Sequence, residues 1–290
     1  MIQTTKMKRQ TMIAYQGEQG SFSEQAARQF FGAHSVLKPL PTFSEVFADT
    51  DRRITGRCIV PIENSLFGSI HQTYDLLMKH KLFIIGEVKL RIELHLMALP
   101  GTKLSSIRTI YSQLQAIGQC ENFLSKLKNV KVETVHDTAA AARFIRERRQ
   151  HDAAAIASEQ AARAYVLQIL KRNVESDHRN FTRFIALSHK PVQPHGTVKT
   201  SLVFASKNIP GSLFKALAVF ALRDINLLKI ESRPIVGKPW EYLFYLDVEG
   251  TPNNDPLRQA LNHLKEMCTL LRVLGSYHPC ESDRNSRQSK

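Results

Sequence analysis

The chain has 290 residues, 43% of them hydrophobic, and a formal net charge of +14. This length and composition supply a sizeable core and favour two domains over one. No apolar run reaches membrane-spanning length, and residues 1–11 are polar and basic without the apolar core of a signal peptide. We therefore expect a cytoplasmic protein that does not bind a membrane.

The basic residues and the cysteines argue against two further classes of site. Lysine and arginine are scattered through the predicted helices instead of forming a stripe with aromatic residues, so nucleic acid is not expected as a partner. A positive field would still steer an anionic small molecule towards a cleft. The four cysteines are far apart and lack metal-ligand spacing, which predicts buried free thiols and no metal. They are Cys58, Cys120, Cys268 and Cys280.

The first part of the chain alternates predicted strands and helices. Strands are predicted at 12–15, 36–40, 58–62 and 82–88. Helices are predicted at about 21–31 and 42–49, each opened by a capping box, and in the segment that carries Ile70, Tyr74, Leu77 and Met78. The capping boxes are Ser21-x-x-Glu24 and Thr42-x-x-Glu45. This alternation predicts a parallel α/β sheet.

The same pattern restarts after Pro100-Gly101, which predicts a second lobe. Strands are predicted at 94–99, 109–111, 130–135 and 153–157. Helices are predicted at about 112–127, 139–148 and 158–165, the first capped by Ser112 and the second opened by Asp137-Thr138. After a loop at 171–179, the strand predicted at 182–187 returns to the first lobe.

Polar segments follow several of these strands, at or near a helix start. They are Gly17–Ser21, Glu63–Ser69, Ser112–Gln115 and Asp137–Thr138. Ligands of open α/β sheets bind at the carboxyl ends of the strands, and helix N-termini there favour anions. Two such lobes predict a cleft that binds a carboxylate-bearing ligand, without naming a reaction.

A different order of elements follows a linker at 188–199 that contains Pro191, Pro194 and Gly196. Strands are predicted at 200–205, 227–232, 242–248 and 269–276, and helices at 211–222 and 256–267. This β-α-β-β-α-β order predicts a ferredoxin-like domain with an antiparallel sheet. The termini, 1–11 and 279–290, are predicted to be polar tails.

Six short stretches occur in order on the predicted elements. They are Ala14-Tyr15-Gln16-Gly17-x-x-Gly20-Ser21-Phe22-Ser23-Glu24, Pro61-Ile62-Glu63-Asn64-Ser65-x-x-Gly68-Ser69-Ile70, Asp137-Thr138-Ala139-Ala140, Thr182-Arg183-Phe184, Gly211-Ser212-Leu213 and Glu231-Ser232-Arg233-Pro234. With the first four, the sequence resembles prephenate dehydratase. With the last two, its final domain resembles the ACT domain that follows the catalytic domain in that family.

The resemblance implies an α/β fold in which a two-lobed, periplasmic-binding-protein-like catalytic domain precedes a ferredoxin-like ACT regulatory domain. The catalytic domain would span 12–188, with lobe one at about 12–90 plus 168–188 and lobe two at about 91–167. The ACT domain would span 198–278. The resemblance also implies a homodimer or homotetramer with effector sites between subunits.

The reaction implied is the conversion of prephenate to phenylpyruvate, water and carbon dioxide by a lyase without a cofactor, with feedback by phenylalanine. Thr182 matches the catalytic threonine, which would donate to the departing hydroxyl group. The substrate-binding positions implied are Glu63, Asn64, Ser65, Ser112, Gln119, Thr138 and Arg183. The effector-binding positions implied are Gly211, Ser212, Leu213, Glu231, Ser232, Arg233 and Pro234.

Several of these residues have a plain structural alternative. Arg183 either pairs with a substrate carboxylate or is an ion-pair partner within the strand. Ser112 is a good helix cap in any protein. An edge-strand ion pair competes with effector binding for Glu231 and Arg233. Whether an acidic group such as Glu63 assists Thr182 is left open.

The sequence departs from the family pattern at several positions, so two other functions stay open. Gln113-Leu114 replaces the usual His-Pro, His95 stands one position late, with Leu94 in the usual place of the histidine, and Val166 replaces a preferred Gly. Leu228 likewise stands where the ACT motif often has Thr. The alternatives are an arogenate dehydratase, whose substrate carries an ammonium in place of the ketone, and a two-lobed small-molecule sensor without catalysis.

Overall fold

The computed structural model describes residues 11–235 and 237–280. Its strands are β1 Ile13–Gln16, β2 Leu37–Leu40, β3 Arg57–Asn64, β4 Gly68–Ser69, β5 Phe83–Arg91, β6 His95–Ala98, β7 Thr109–Gln113, β8 Lys131–Val135, β9 Ala153–Ala157, β10 Gln168–Lys171, β11 Phe181–Ser188, β12 Lys199–Ser206, β13 Leu227–Pro234, β14 Tyr242–Glu249 and β15 Cys268–Tyr277. Its helices are α1 Phe22–Phe31, α2 Phe43–Asp51, α3 His71–Lys79, α4 Leu114–Gln119, α5 Glu121–Leu124, α6 Thr138–Arg148, α7 Glu159–Ala164, α8 Ser212–Ala221 and α9 Asp255–Met267.

Three sheets organise these elements. The first has the order β2-β1-β3-β11-β5, with β4 paired to β3, and the second has the order β10-β6-β9-β7-β8. Parallel pairs form one side of each sheet, since β1 runs parallel to β2 and β3, and β7 runs parallel to β8 and β9. Strand β6 pairs antiparallel with both β9 and β10, so the second sheet is mixed, whereas the sequence predicted a parallel one. The third sheet, β13-β14-β12-β15, is antiparallel throughout. The predicted α/β fold with a ferredoxin-like C-terminal domain is therefore confirmed.

Two compact units divide the chain. One contains the chain up to Gly68 together with Lys89–Phe184, and the other contains Ser69–Val88 together with the chain from Ile185 onward. In the second unit, the guanidinium of Arg272 on β15 donates to the carbonyls of Leu77, His80 and Leu82. These carbonyls lie at or just after the C-terminus of α3, so Arg272 satisfies backbone acceptors that the helix leaves open.

Two of the three predicted Ser and Thr helix caps form. Ser21 accepts from the N–H of Glu24 at 3.3 Å, and Thr42 accepts from the N–H of Glu45 at 3.2 Å. The prediction for Ser112 is wrong: this residue lies inside β7, and its hydroxyl donates to the carbonyl of Ile156 on the neighbouring strand β9 at 2.7 Å. Helix α4 begins at Leu114 without a side-chain cap and ends at Gln119, before the shorter α5.

The structure tests the prediction of buried free thiols but describes little of the predicted tails. Cys58 and Cys120 are buried free thiols, as predicted, and burial raises the pKa of each to about 12. Cys268 and Cys280 are free but only partly buried. The predicted tails lie outside the described residues except for Thr11, Pro279 and Cys280. No helix in the described part of the chain is long and apolar enough to span a membrane.

Helix α7 ends in a Schellman motif that has a β-branched residue at its left-handed position. The N–H of Leu167 donates to the carbonyl of Ala162, and the N–H of Val166 donates to that of Arg163. Val166 has φ 52°, a conformation that glycine adopts without strain and valine does not. Since Val166 is exposed, no packing in the described structure offsets this strain.

Replacing Val166 with glycine is therefore expected to stabilise the protein. The Val166→Gly variant relieves the left-handed strain and should raise the free energy of unfolding by about 1 kcal/mol. Urea denaturation of the purified variant measures this change. Val166→Ala, which keeps the Cβ atom, is the matched control and should gain much less; equal gains for both variants would contradict the explanation.

Candidate active site

Strands β3 and β11 bring the polar residues of two separate motifs together. The Asn64 amide Nδ2 donates to Oγ1 of Thr182 at 2.9 Å and to Oδ1 of Asn180 at 2.8 Å. Thr182 is 8% exposed and Asn180 is completely buried. Two residues that the sequence separates by 118 positions are thus joined by one hydrogen bond at the end of the first sheet.

Glu63 and Arg183 form a second pair in the same two strands. A carboxylate oxygen of Glu63 lies 3.6 Å from the Arg183 guanidinium, which is nearly buried. Adjacent residues of a strand point to opposite faces, so this pair lies on the face opposite to Asn64 and Thr182. The geometry therefore favours an ion-pair role for Arg183, and it separates Glu63 from the Thr182 hydroxyl.

Ser65 ties the two segments together through backbone groups. Its hydroxyl donates to the carbonyl of Arg179 at 2.8 Å and accepts from the N–H of Phe181 at 2.9 Å. Its own N–H donates to the carbonyl of Phe181 at 2.8 Å. These three bonds hold the start of β11 against the end of β3, which fixes the place of Thr182.

Two of the implied residues of the second lobe lie at the carboxyl edge of the second sheet. Ser112 is buried near the end of β7, and Thr138 is the first residue of α6, just after β8. Gln119 ends α4, and its backbone carbonyl accepts from the N–H of Ser176 at 2.7 Å. The structure thus places Ser112 and Thr138 on the edge that the strand order predicts for a ligand site, and Gln119 at the opposite end of the helix that starts there.

Helix starts of the two lobes meet at the turn that precedes α1. The Ser158 hydroxyl donates to the carbonyl of Gly20 at 2.6 Å, and Arg143 lies 2.9 Å from the carboxylate of Glu18. Gly17 has φ 107°, and a Cβ atom there would lie 2.7 Å from Oδ2 of Asp137. Glycine is required at this position because both the backbone conformation and the space exclude a side chain.

Side-chain caps occupy the starts of α6 and α7. Oδ1 of Asp137 accepts from the N–H groups of Ala139 and Ala140, and Ser158 accepts from the N–H of Ala161. Burial raises the pKa of Asp137 above its usual value, and these two N–H bonds oppose that shift. The starts of α6 and α7 are therefore less available to an anion than bare helix termini.

Titratable groups near this turn are held in their neutral forms. Burial, with a contribution from Glu24, raises the pKa of Tyr15 well above its usual value, and burial raises the pKa of Tyr165 to about 12. Burial also lowers the pKa of His95, whose Nδ1 accepts from the N–H of Asn173. An imidazole nitrogen that accepts from a backbone N–H has no proton, so His95 is a neutral structural residue here.

The implied effector residues lie on the third sheet and on α8. Glu231 accepts from Ser69 at 2.6 Å and lies 3.4 Å from His71, and Arg233 pairs with Asp75 at 3.2 Å. These contacts support the ion-pair alternative on the edge strand β13. Ser232 and Pro234 are exposed, as is Gly211 (φ 76°), whereas Ser212 and Leu213 are partly buried at the start of α8.

Asn180 is a residue of this site that the sequence motifs do not include. Its spacing from Thr182 was the available signal, since residues two apart in an extended segment share a face. Among the described residues, no group of three or more His, Cys, Asp and Glu side chains could hold a metal ion. The site that emerges consists of amides and hydroxyls, with one ion pair on the opposite face.

Two family models and several known proteins match the chain. The prephenate dehydratase family model matches residues 13–192, and the ACT domain model matches residues 200–266. Arogenate dehydratase/prephenate dehydratase 2, chloroplastic, from Arabidopsis thaliana is 46% identical over 277 residues, which cover 91% of this chain and 72% of that protein.

Two solved structures resemble the whole fold. The prephenate dehydratase of Arthrobacter aurescens in complex with L-Phe superposes with a TM-score of 0.84 at 30% identity, covering 92% of this chain and 89% of that one. GqqA, described as a novel type of quorum quenching acylase, gives a TM-score of 0.85 at 34% identity, covering 92% and 98%. The family match spans well over half of the chain and includes Asn64 and Thr182. The chain therefore belongs to the prephenate dehydratase family and carries a C-terminal ACT domain.

Proposed function

We propose that this chain is a lyase that converts prephenate to phenylpyruvate, carbon dioxide and water. The observation that carries the proposal is the hydrogen bond from Asn64 to Thr182, within the region that matches the family. A hydroxyl that accepts from a fixed amide keeps its own hydrogen for donation. Family membership argues against the alternative of a sensor without catalysis.

The chemistry needs a donor at the leaving oxygen and no redox step. The bond between the ring and its carboxylate breaks and releases carbon dioxide, and the electron pair enters the ring. The ring then becomes aromatic as the hydroxyl at the opposite carbon departs and, on gaining a proton, becomes water. Positioned proton donation contributes about 10²–10⁴-fold to such a step. A threonine hydroxyl is a weak acid, so Thr182 assists through a hydrogen bond without losing its proton fully.

The other polar residues have binding or supporting roles in this proposal. Asn64 orients Thr182, and Thr138 and Gln119 are the proposed donors for the carboxylates of the substrate. Preorganised donors of this kind stabilise developing charge in a site that excludes water. Ser112 and Ser65 hold backbone segments in place through the hydrogen bonds described above, and Arg183 supports β3 through Glu63.

Regulation by phenylalanine is the second part of the proposal. The ACT domain match and the solved family member in complex with L-Phe support it. Gly211, Ser212, Leu213 and the segment Glu231–Pro234 are the proposed effector positions. A homodimer or homotetramer and a cytoplasmic location stay predictions; the plant relative named above is described as chloroplastic.

A comparison of two substrates tests the proposed activity. We expect the purified chain to form phenylpyruvate from prephenate, detected by ultraviolet absorbance, with phenylalanine lowering the rate. Phenylalanine formation from arogenate is measured beside it by chromatography. A higher kcat/KM for arogenate would assign the arogenate alternative, and absence of turnover of both substrates would contradict a lyase of this family.

A further inference from the structure

Asn180 lies where its side chain contributes more to the reaction than to the stability of the fold. It precedes β11 by one residue and Thr182 by two, and its side chain is completely buried. Its backbone carbonyl accepts from the N–H of Ile92 at 2.8 Å, so the main chain is fixed at this point. Residues two apart in an extended segment share a face, which places the Asn180 amide on the side of Thr182.

The orientation of the Asn64 amide is determined by its oxygen. Oδ1 of Asn64 accepts from the N–H groups of Leu66 at 3.0 Å and Phe67 at 3.1 Å, both of which are donors only. The nitrogen of the amide must therefore face Asn180 and Thr182. An amide NH₂ group has two hydrogens, and the structure provides one acceptor for each: Oδ1 of Asn180 and Oγ1 of Thr182.

This arrangement fixes the direction of the hydrogen bond at Thr182. Because Oγ1 accepts from Asn64, the hydroxyl hydrogen is directed elsewhere and stays free to donate. The Asn180 oxygen adds a second constraint on the Asn64 amide, beside the N–H groups of Leu66 and Phe67, because rotation would bring the Asn64 and Asn180 oxygens together. Without Asn180, that constraint on the donor to Thr182 is lost.

The Nδ2 atom of Asn180 indicates that a gain in stability does not explain why an asparagine occupies this position. This atom is buried and has no hydrogen-bond partner in the described structure. A buried donor without a partner destabilises the folded state. An apolar residue of similar size would avoid this cost, so the Oδ1 bond to Asn64 is the contribution that an asparagine makes here.

We propose that Asn180 is a positioning residue that sets the donor direction of the Thr182 hydroxyl through Asn64. The inference rests on the proposed function, because it assigns Asn180 a part in the same reaction. It acts through Asn64 and does not require that Asn180 touch the substrate. Its signature is a loss in kcat that depends on Asn64 and leaves the stability of the fold unchanged.

The test combines kinetics with thermal unfolding of the full chain. Asn180→Leu is expected to lower kcat by about 10–100-fold, because misplacement of a reacting group has effects of this order, and to change KM by less than about threefold. Its melting temperature should change little, because removal of the unpartnered Asn180 donor offsets the loss of one acceptor of the Asn64 amide. Thr50→Val, which deletes a different buried hydrogen-bonding side chain, on α2, is the matched control and should keep the wild-type kcat.

A double-variant cycle supplies the second measurement. In the Asn64→Ala background, Asn180→Leu should lower kcat by less than about threefold, because the connection is already broken. Equal losses in both backgrounds would overturn the inference, as would a wild-type kcat for Asn180→Leu. Asn180→Ala is measured in parallel with the same expected loss, so the inference stays testable if the leucine variant does not fold. If wild-type protein and Thr182→Ala differ as expected but Asn180→Leu and Asn180→Ala keep full kcat, this inference fails while the proposed function stands.

Discussion

Replacing Thr182 with alanine is expected to lower kcat for prephenate by about 10²–10⁴-fold while the protein stays folded. The substitution removes the hydroxyl that is available to the leaving oxygen. It also removes one acceptor of the Asn64 amide, which costs about 1 kcal/mol of folding free energy and is small beside the total. Phenylpyruvate formation by the purified variant, together with its melting curve, measures both effects.

The matched control for this prediction is Thr182→Ser. Serine keeps the hydroxyl and its acceptor role towards Asn64, so it should retain far more activity than alanine. An alanine variant that turns over prephenate at nearly the wild-type rate would refute the assigned role. A variant that is inactive and unfolded would instead reveal a structural role for the Asn64–Thr182 bond.

Replacing Lys199 with methionine is expected to give the largest loss of stability. The Lys199 ammonium lies 2.7 Å from both oxygens of the Glu87 carboxylate, and both side chains are almost completely buried. Removing one partner of a buried ion pair leaves the other as a buried charge, which costs about 3–5 kcal/mol. Urea denaturation of Lys199→Met measures the loss.

The double variant Glu87→Leu/Lys199→Met tests whether the pair itself is the cause. Replacing both partners by apolar groups of similar size removes the uncompensated charge, so the double variant should recover much of the lost stability. The Cys280 N–H, which donates to Glu87 at 3.0 Å, and Asp247, 3.9 Å from Lys199, limit this recovery. A double variant that is less stable than Lys199→Met would contradict the explanation.

The sequence predicted most elements because their signals are local. Ser21 and Thr42 each indicate a helix start, because the side-chain hydroxyl accepts a hydrogen bond from the backbone N–H three residues later. Such a bond does not depend on tertiary structure. Ser112 has the same sequence pattern but does not cap a helix, because its hydroxyl donates to a carbonyl of the neighbouring strand. Strand β10 was not predicted because it is only four residues long and its partner, β6, is distant in the chain.

The candidate site was predicted by residue type but not by geometry. The motifs that contain Asn64 and Thr182 are visible in the sequence, yet their bond joins two strands from opposite ends of the catalytic region. The alternation of β3 and β11 then separates the polar residues into two sets on opposite faces. Only the paired strands show that Arg183 faces Glu63, and that Asn180 shares a hydrogen-bond donor with Thr182.

The opposite orientation of Thr182 and Arg183 has a practical consequence for the study of bound states. Because the hydroxyl and the ion pair lie on different faces, a change at residue 182 leaves the support of the strand intact. The Thr182→Ala variant is thus expected to bind the substrate without converting it. Soaked with prephenate, crystals of this variant would show the ligand before carbon dioxide leaves, and would identify which donors on the facing lobe contact its carboxylates.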